Sequence, residues 1–289
     1  MKKTIALLGI LMIMLCGCQT QGKTADIAAT TLPVYEFTLH LCQGTDLTVA
    51  QLVTESVSCL HDYALNVGQV KTVEGARLVV ISGAGLEEFM EDLLQDKPIV
   101  DASEHIPLLE SCHEHDHHED HSHHSEADAH IWLSPENARI MAENICRGLI
   151  AQYPQHTAVF EKNLATLQQK LQELIEYGNS ELSNLNSHEI ITFHDGFSYF
   201  AEYYGLHILS AVEEESGAEA SAAELKEMIT MVNAHQLPAI FVEKNGSDSA
   251  ASIISSETGA AVFTLDMAMS GSWFDAMYHN IDTIKEALG

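Results

Sequence analysis

The chain has 289 residues with 13 Lys+Arg against 42 Asp+Glu, a formal net charge of −29 with every histidine neutral. That balance excludes a protein that tracks the phosphates of a nucleic acid, and 46% hydrophobic against 19% charged residues excludes a disordered acidic chain. Histidine is the odd member of the inventory, with 17 copies, and is where the chemistry is expected.

In chain order, Lys2 and Lys3 precede an apolar run from Ile5 to Leu15 that is too short for a membrane span, so residues 1–17 read as a signal peptide. The string Leu15-Cys16-Gly17-Cys18 has the form of a bacterial lipobox in which Cys18 receives lipid; an ordinary secretory signal with a chance cysteine is the alternative. The mature domain is then extracytoplasmic, anchored to the cell membrane through Cys18. Short β-branched or apolar runs follow at Ile27 to Thr31, Leu47 to Val53, Arg77 to Ser82 and Pro98 to Asp101, separated by helical patterns. A second set lies at Ile190 to Phe193, Ile208 to Val212, Ala239 to Val242 and Ala261 to Leu265. Four strands in each half, alternating with helices, predict an α/β fold of two parallel-sheet lobes. Cys42 and Cys59 stand close enough in sequence to pair in an oxidising compartment, though connectivity stays open.

Between the halves, Phe160, Leu164, Leu167, Leu171, Leu174, Leu182 and Leu185 recur at spacings of three and four, with Gly178 in one apolar slot. One long amphipathic helix over 155–186 is predicted, about 45 Å long at 1.5 Å per residue. It would connect an N-terminal lobe, 18–154, to a C-terminal lobe, 187–289; a coiled-coil partner helix is the competing explanation. Upstream of it, the tract 112–124 holds His113, His115, His117, His118, His121, His123 and His124 among four carboxylates. Nothing in it can build a core, and its imidazoles suit zinc, copper or nickel with little selectivity.

Three histidines outside the tract mark strand ends or the loops after strands. His61 follows the second strand, His130 precedes a helix that Ser134 caps and Pro135 starts, and His194 ends the strand Ile190 to Phe193. A lone histidine at such a position is more often a hydrogen-bonded structural residue than a ligand. In open α/β sheets, however, ligands bind beyond the carboxyl ends of strands, and Asp266 ends the last predicted strand. Two halves facing across a cleft bring three imidazoles and one carboxylate into reach of one divalent ion. Asp62 and Asp195 are candidates to orient their neighbouring histidines, or to cap helices.

The strings TTLPVYEF, LHDYAL, DAHIWLSPENA, TFHDGFSYFAEYYGL and SSETGAAVFTLD, in this order, resemble the zinc-specific solute-binding lipoproteins of bacterial ABC transporters, a family with manganese-binding relatives. The resemblance implies two α/β lobes joined by one long helix. It implies metal held in the cleft by His61, His130, His194 and Asp266, with a His-rich loop just before the second ligand. Its partners would be an ABC permease and that permease's cytoplasmic ATPase, and the receptor itself a monomer. Leu60 stands where relatives carry proline or glutamate, and Met267 where proline is frequent after the aspartate, so a water or a loop residue is an alternative fourth ligand. Manganese relatives place a carboxylate at the position of His194, so the imidazole here favours Zn2+ as the transported cargo. A secreted zinc hydrolase is the less favoured class, since no H-E-x-x-H and no G-x-S-x-G string occurs. A metal-storage or cell-adhesion lipoprotein, with the seven-histidine tract as its main site, is a further alternative, as is a manganese or broader divalent-metal receptor.

Overall fold

The computed structural model describes residues 25–54, 63–110, 127–211, 220–244, 246 and 248–289. His61, Asp62, Cys59, Cys18, the signal peptide and the tract 112–124 lie outside them.

The first lobe contains β1 (Ile27–Ala29), α1 (Leu32–Leu41), β2 (Val49–Gln51), α2 (Val67–Gly75), β3 (Leu78–Ile81), α3 (Glu91–Leu94), β4 (Ile99–Asp101) and α4 (Pro135–Gln152). Its sheet is wholly parallel in the order β2-β1-β3-β4, with Ile27 opposite Val49 on one side and Leu78 on the other. The second lobe contains β5 (Glu189–Thr192), α6 (Ser198–Tyr204), β6 (His207–Ala211), α7 (Ala222–His235), β7 (Ala239–Glu243), α8 (Ser249–Thr258), β8 (Ala261–Leu265) and α9 (Trp273–Leu288). Its order, β6-β5-β7-β8, repeats that of the first lobe. All eight predicted strands are present. In each lobe the chain reverses its direction of travel across the sheet between two central strands, β1 and β3 in one, β5 and β7 in the other. A crevice opens beyond the carboxyl ends of such a pair.

The long helix α5 (Thr157–Glu181) joins the lobes with 25 residues, fewer than the 155–186 predicted, so it reaches about 37 Å. Pro154 opens a separate 3-10 turn before it, and the chain leaves the helix at Leu182. The apolar periodicity runs on because Leu182 is buried and Leu185 packs against the core in that following turn. Gly178 occupies its apolar slot for a local reason: a Cβ there would lie 2.3 Å from the hydroxyl of Tyr204, so the tyrosine fills the space a side chain would take.

One core runs through both lobes. It joins Val34, Phe37 and Ile145 of the first lobe to Leu167 and Leu171 of α5 and to Trp273, Met277 and Ile281 of α9. Two smaller clusters lie under the outer helices: Leu52, Val73, Val79 and Met90 in the first lobe, and Ile191, Val232, Ile240 and Ile254 in the second. Polar ties cross the same boundary. Glu36 of α1 accepts the backbone N–H of Trp273 at 2.6 Å and the Ser272 hydroxyl at 3.2 Å, so a carboxylate from one lobe caps the first turn of α9 in the other. Trp132 donates its indole N–H to the Met267 carbonyl at 2.8 Å, and Trp273 donates its own to the Trp132 carbonyl at 3.0 Å. Among the described residues Cys42 is a free, buried thiol, pushed up to about 12 by that burial. Among the described residues, no helix is long and apolar enough to cross a membrane.

Candidate metal centre

An isolated antiparallel bridge, Glu110 to Ala127, joins the two ends of the chain flanking 111–126. Tyr199 of α6 supports it, accepting from the Leu109 N–H and donating to the Asp128 carbonyl, both at 2.9 Å. His130 comes three residues past the bridge and leads into a 3-10 turn, Ile131–Leu133. Ser134 then caps α4 through the Asn137 N–H, with Pro135 as its first residue. The loop before His130 returns on the histidine: Asp128 Oδ1 accepts the His130 backbone N–H and faces its Nδ1, each at 2.8 Å. An acceptor at Nδ1 puts the ring proton there and aims the Nε2 lone pair away from the aspartate, as metal-binding histidines require.

His194 follows β5, and its ring meets that of His130 edge-on, with centroids 5.2 Å apart and planes at 85°. Its Nδ1 lies 3.3 Å from Asp195 Oδ1, the same relation drawn more loosely. Close packing there depends on Gly196, where a Cβ would stand 2.3 Å from the Met267 methyl and 3.0 Å from the His130 ring. Met267 is thus brought against both histidine loops, and Asp266 precedes it at the end of β8. The Asp266 main chain is gripped by Asn280, which accepts its N–H at 2.7 Å and donates to its carbonyl at 2.8 Å. The Asp266 carboxylate accepts the Ala268 N–H at Oδ1, 2.9 Å, and the Lys244 ammonium at Oδ2, 2.7 Å.

A further buried carboxylate, Glu243, ends β7 beside these groups. Burial pushes its carboxyl up from the usual range, His194 and His130 oppose that shift, and Asp266 adds to it. Of the four expected ligands, the structure therefore puts His130 and His194 in contact and Asp266 in the same neighbourhood, its carboxylate turned to Lys244. His61 lies outside the described residues, as do the seven tract histidines. Among the described residues alone, no three His, Cys, Asp or Glu side chains form a set able to hold a metal ion.

Three participants escaped sequence reasoning. Asp128 is two residues before His130, a spacing that permits a local carboxylate–imidazole contact just as the adjacency of Asp195 to His194 does. Glu243 falls one residue past the predicted end of β7, and the strand-end argument applied to His194 and Asp266 applies to it equally, since β5 and β7 flank the crevice. Lys244 left no signal, because its pairing with Asp266 arises only once β7 and β8 lie side by side.

A family model described as "ZnuA: Zinc-uptake complex component A periplasmic" matches residues 27–287. The zinc-binding lipoprotein AdcA of Streptococcus pneumoniae (strain ATCC BAA-255 / R6) is 31% identical over 309 aligned residues, covering 99% of this chain and 61% of AdcA. The chain thus spans about three-fifths of that relative's length. The Zn(II)-bound ZnuA-like domain of Streptococcus pneumoniae AdcA superposes with a TM-score of 0.78 at 28% identity, over 92% of this chain and 99% of the domain. A crystal structure of ZnuA gives a TM-score of 0.80 at 26% identity, over 92% of this chain and 100% of that one. FpvC of Pseudomonas aeruginosa in complex with Ni2+ shares the fold, with a TM-score of 0.77 at 21% identity, over 92% and 97% of the two chains.

Proposed function

This chain belongs to the ZnuA family of periplasmic zinc-uptake components, metal-binding solute-binding proteins and not enzymes, and on that premise we propose that it is a receptor whose cargo is Zn2+. His61, His130, His194 and Asp266 capture the ion in the cleft, and the loaded receptor passes it to an ABC permease driven by a cytoplasmic ATPase. A lipid on Cys18 tethers it outside the membrane, and it acts as a monomer. The carrying observation is the His130–His194 pair, two imidazoles in edge contact from two parts of the chain, each with a carboxylate at Nδ1. Neutral imidazoles so held are zinc donors, and nothing in the pair offers a substrate position. The tract 112–124, which ends six residues before His130 in the sequence, would collect ions near the cleft with low affinity.

The test is calorimetric titration of the lipid-free mature chain with Zn2+ at neutral pH, for wild type, His194→Ala and a deletion of 112–124. One tight ion with a weak shoulder is expected for wild type, loss of the tight ion for His194→Ala, and loss of only the shoulder for the deletion. Several weak ions and no tight one would instead identify a storage protein. The adhesion alternative has no support in a family described by zinc uptake.

Glu243 favours a second reading. Drawn inward by an arriving ion, two imidazoles with two buried carboxylates, Glu243 and Asp266, would make a harder donor set, one that accepts manganese as well. Competition of Mn2+ against bound Zn2+ in wild type and Glu243→Gln decides between them: broad metal use requires Mn2+ to displace zinc at comparable concentration in wild type only.

A further inference from the structure

We propose that Lys244 is a resident counter-cation for Asp266, which the incoming metal ion must displace, so that the lysine weakens capture and speeds release. The inference rests on the assignment of Asp266 as a ligand under the proposed function.

The geometry makes the carboxylate the fixed partner and the lysine the movable one. Asp266 is buried, its main chain is held on both sides by the Asn280 amide, and its Oδ1 is committed to the Ala268 N–H. Only Oδ2 is exchangeable, and the Lys244 ammonium donates to it at 2.7 Å. Lys244 stands directly after β7, where its own N–H donates to the Leu265 carbonyl at 2.9 Å. The backbone therefore delivers this lysine beside Asp266 as a consequence of β7–β8 pairing. The side chain is about half exposed, 51%, against 9% for the aspartate. Its flexible stem can carry the ammonium out to water, whereas the aspartate has nowhere to turn without stranding a buried charge.

A divalent ion and an ammonium compete for one oxygen, because the two cations repel each other when both approach it. Binding is then an exchange: one cation leaves Asp266 as the other arrives, and the lysine returns as the ion departs. A chain with 13 basic residues against 42 acidic ones places one of its few lysines on a proposed ligand. Exchange sets a threshold that only an ion bound firmly by the imidazoles crosses, and it provides release without wide separation of the lobes.

The experiment is competition for Zn2+ against a chromophoric chelator using the lipid-free mature chain, with stopped-flow release rates, on wild type and five variants. Lys244→Met should bind about tenfold more tightly and release correspondingly more slowly. Lys244→Arg retains a cation and should gain little of that. In an Asp266→Asn background, adding Lys244→Met should bring no tightening, because the charge it competes for is gone. Unchanged or weaker binding by folded Lys244→Met overturns the inference, as does tightening that persists in the Asp266→Asn background. His130→Ala separates the two levels. Loss of the tight ion in His130→Ala together with an unaltered Lys244→Met defeats the exchange alone, whereas retention of the tight ion in His130→Ala defeats the proposed function and the exchange with it.

Discussion

Asp128 offers the sharpest test of how the histidine pair is built. Its Oδ1 takes two contacts from a single residue, the His130 backbone N–H and the ring Nδ1, both at 2.8 Å, and the side chain is buried. Asp128→Ala removes the acceptor that fixes the tautomer and orients the ring. A hydrogen bond to a charged group contributes about 1.5–3 kcal/mol. Partners behind a metal-bound histidine typically contribute about 10- to 100-fold in affinity, or about 1.4–2.7 kcal/mol, and the two scales agree. Asp128→Ala should therefore weaken Zn2+ binding by about 10- to 100-fold. Asp128→Asn keeps an oxygen able to accept from both N–H groups and loses only the charge, so its loss should fall at or below the low end of that range. Chelator competition at neutral pH reads both, with circular-dichroism melts confirming that the fold persists. If folded Asp128→Ala binds zinc within about twofold of wild type, the ring is held by something else and the carboxylate is incidental.

Other tests address the frame. Burial pushes Glu87 up to about 7 from an ordinary 4.5, although Thr30, Ser82 and Gly83 all donate to it. A carboxyl with a raised folded-state value keeps its proton in the native state after losing it in the unfolded state. Stability attributable to it therefore falls as pH rises from about 4.5 to about 7, by on the order of 3 kcal/mol at most. Urea unfolding of wild type and Glu87→Gln across that window should show their stabilities diverging, and parallel curves would count against it. Gly178→Ala removes a poor helix former, worth about 1 kcal/mol, but forces a methyl to 2.3 Å from the Tyr204 hydroxyl. Overpacking should win, with a net loss of about 1–2 kcal/mol in denaturant titration; a stabilised variant would refute it. Glu36→Ala strips the interlobe cap from α9 and should cost about 1 kcal/mol, a fall in Tm of about 2–4 °C, by scanning calorimetry.

The fold was legible because each strand is a short apolar run bounded by breakers and each intervening helix carries its own periodicity, so eight runs gave eight strands. What remained illegible was set by contacts between distant segments. Helix α5 ends at Glu181, short of the 186 its periodicity predicts, because Leu182 and Leu185 continue the apolar repeat from outside the helix, and periodicity reports burial rather than backbone state. Around the candidate site, His194 and Asp266 follow β5 and β8, and His130 lies in the loop before α4, as their sequence positions suggested. Glu243 satisfies the strand-end rule too but fell one residue past the predicted β7, where a single glutamate looks like ordinary surface. The roles of Asp128 and Lys244 depend on where a loop and a neighbouring strand place their charges, which composition and spacing do not encode.

The ties between the lobes bear on how an ion could leave. His130 and Trp132 belong to one loop, Asp266 and Met267 to another, and the Trp132 indole bonds the Met267 carbonyl while Trp273 bonds the Trp132 carbonyl. Gly196 brings the His194 loop against both His130 and Met267. The separation of these three loops is thus governed by hydrogen bonds of about 3 Å and direct packing, and α5 with the shared core stiffens the frame around them. A hinge that opened the cleft widely would break the indole ladder and the Glu36 cap together and expose part of a continuous core. Release by exchange of one exposed side chain on Asp266 breaks none of them. Small-angle scattering of the chain with and without Zn2+ should give nearly superimposable profiles, and a large change in radius of gyration would show that the ladder opens and that the lysine is not the moving part.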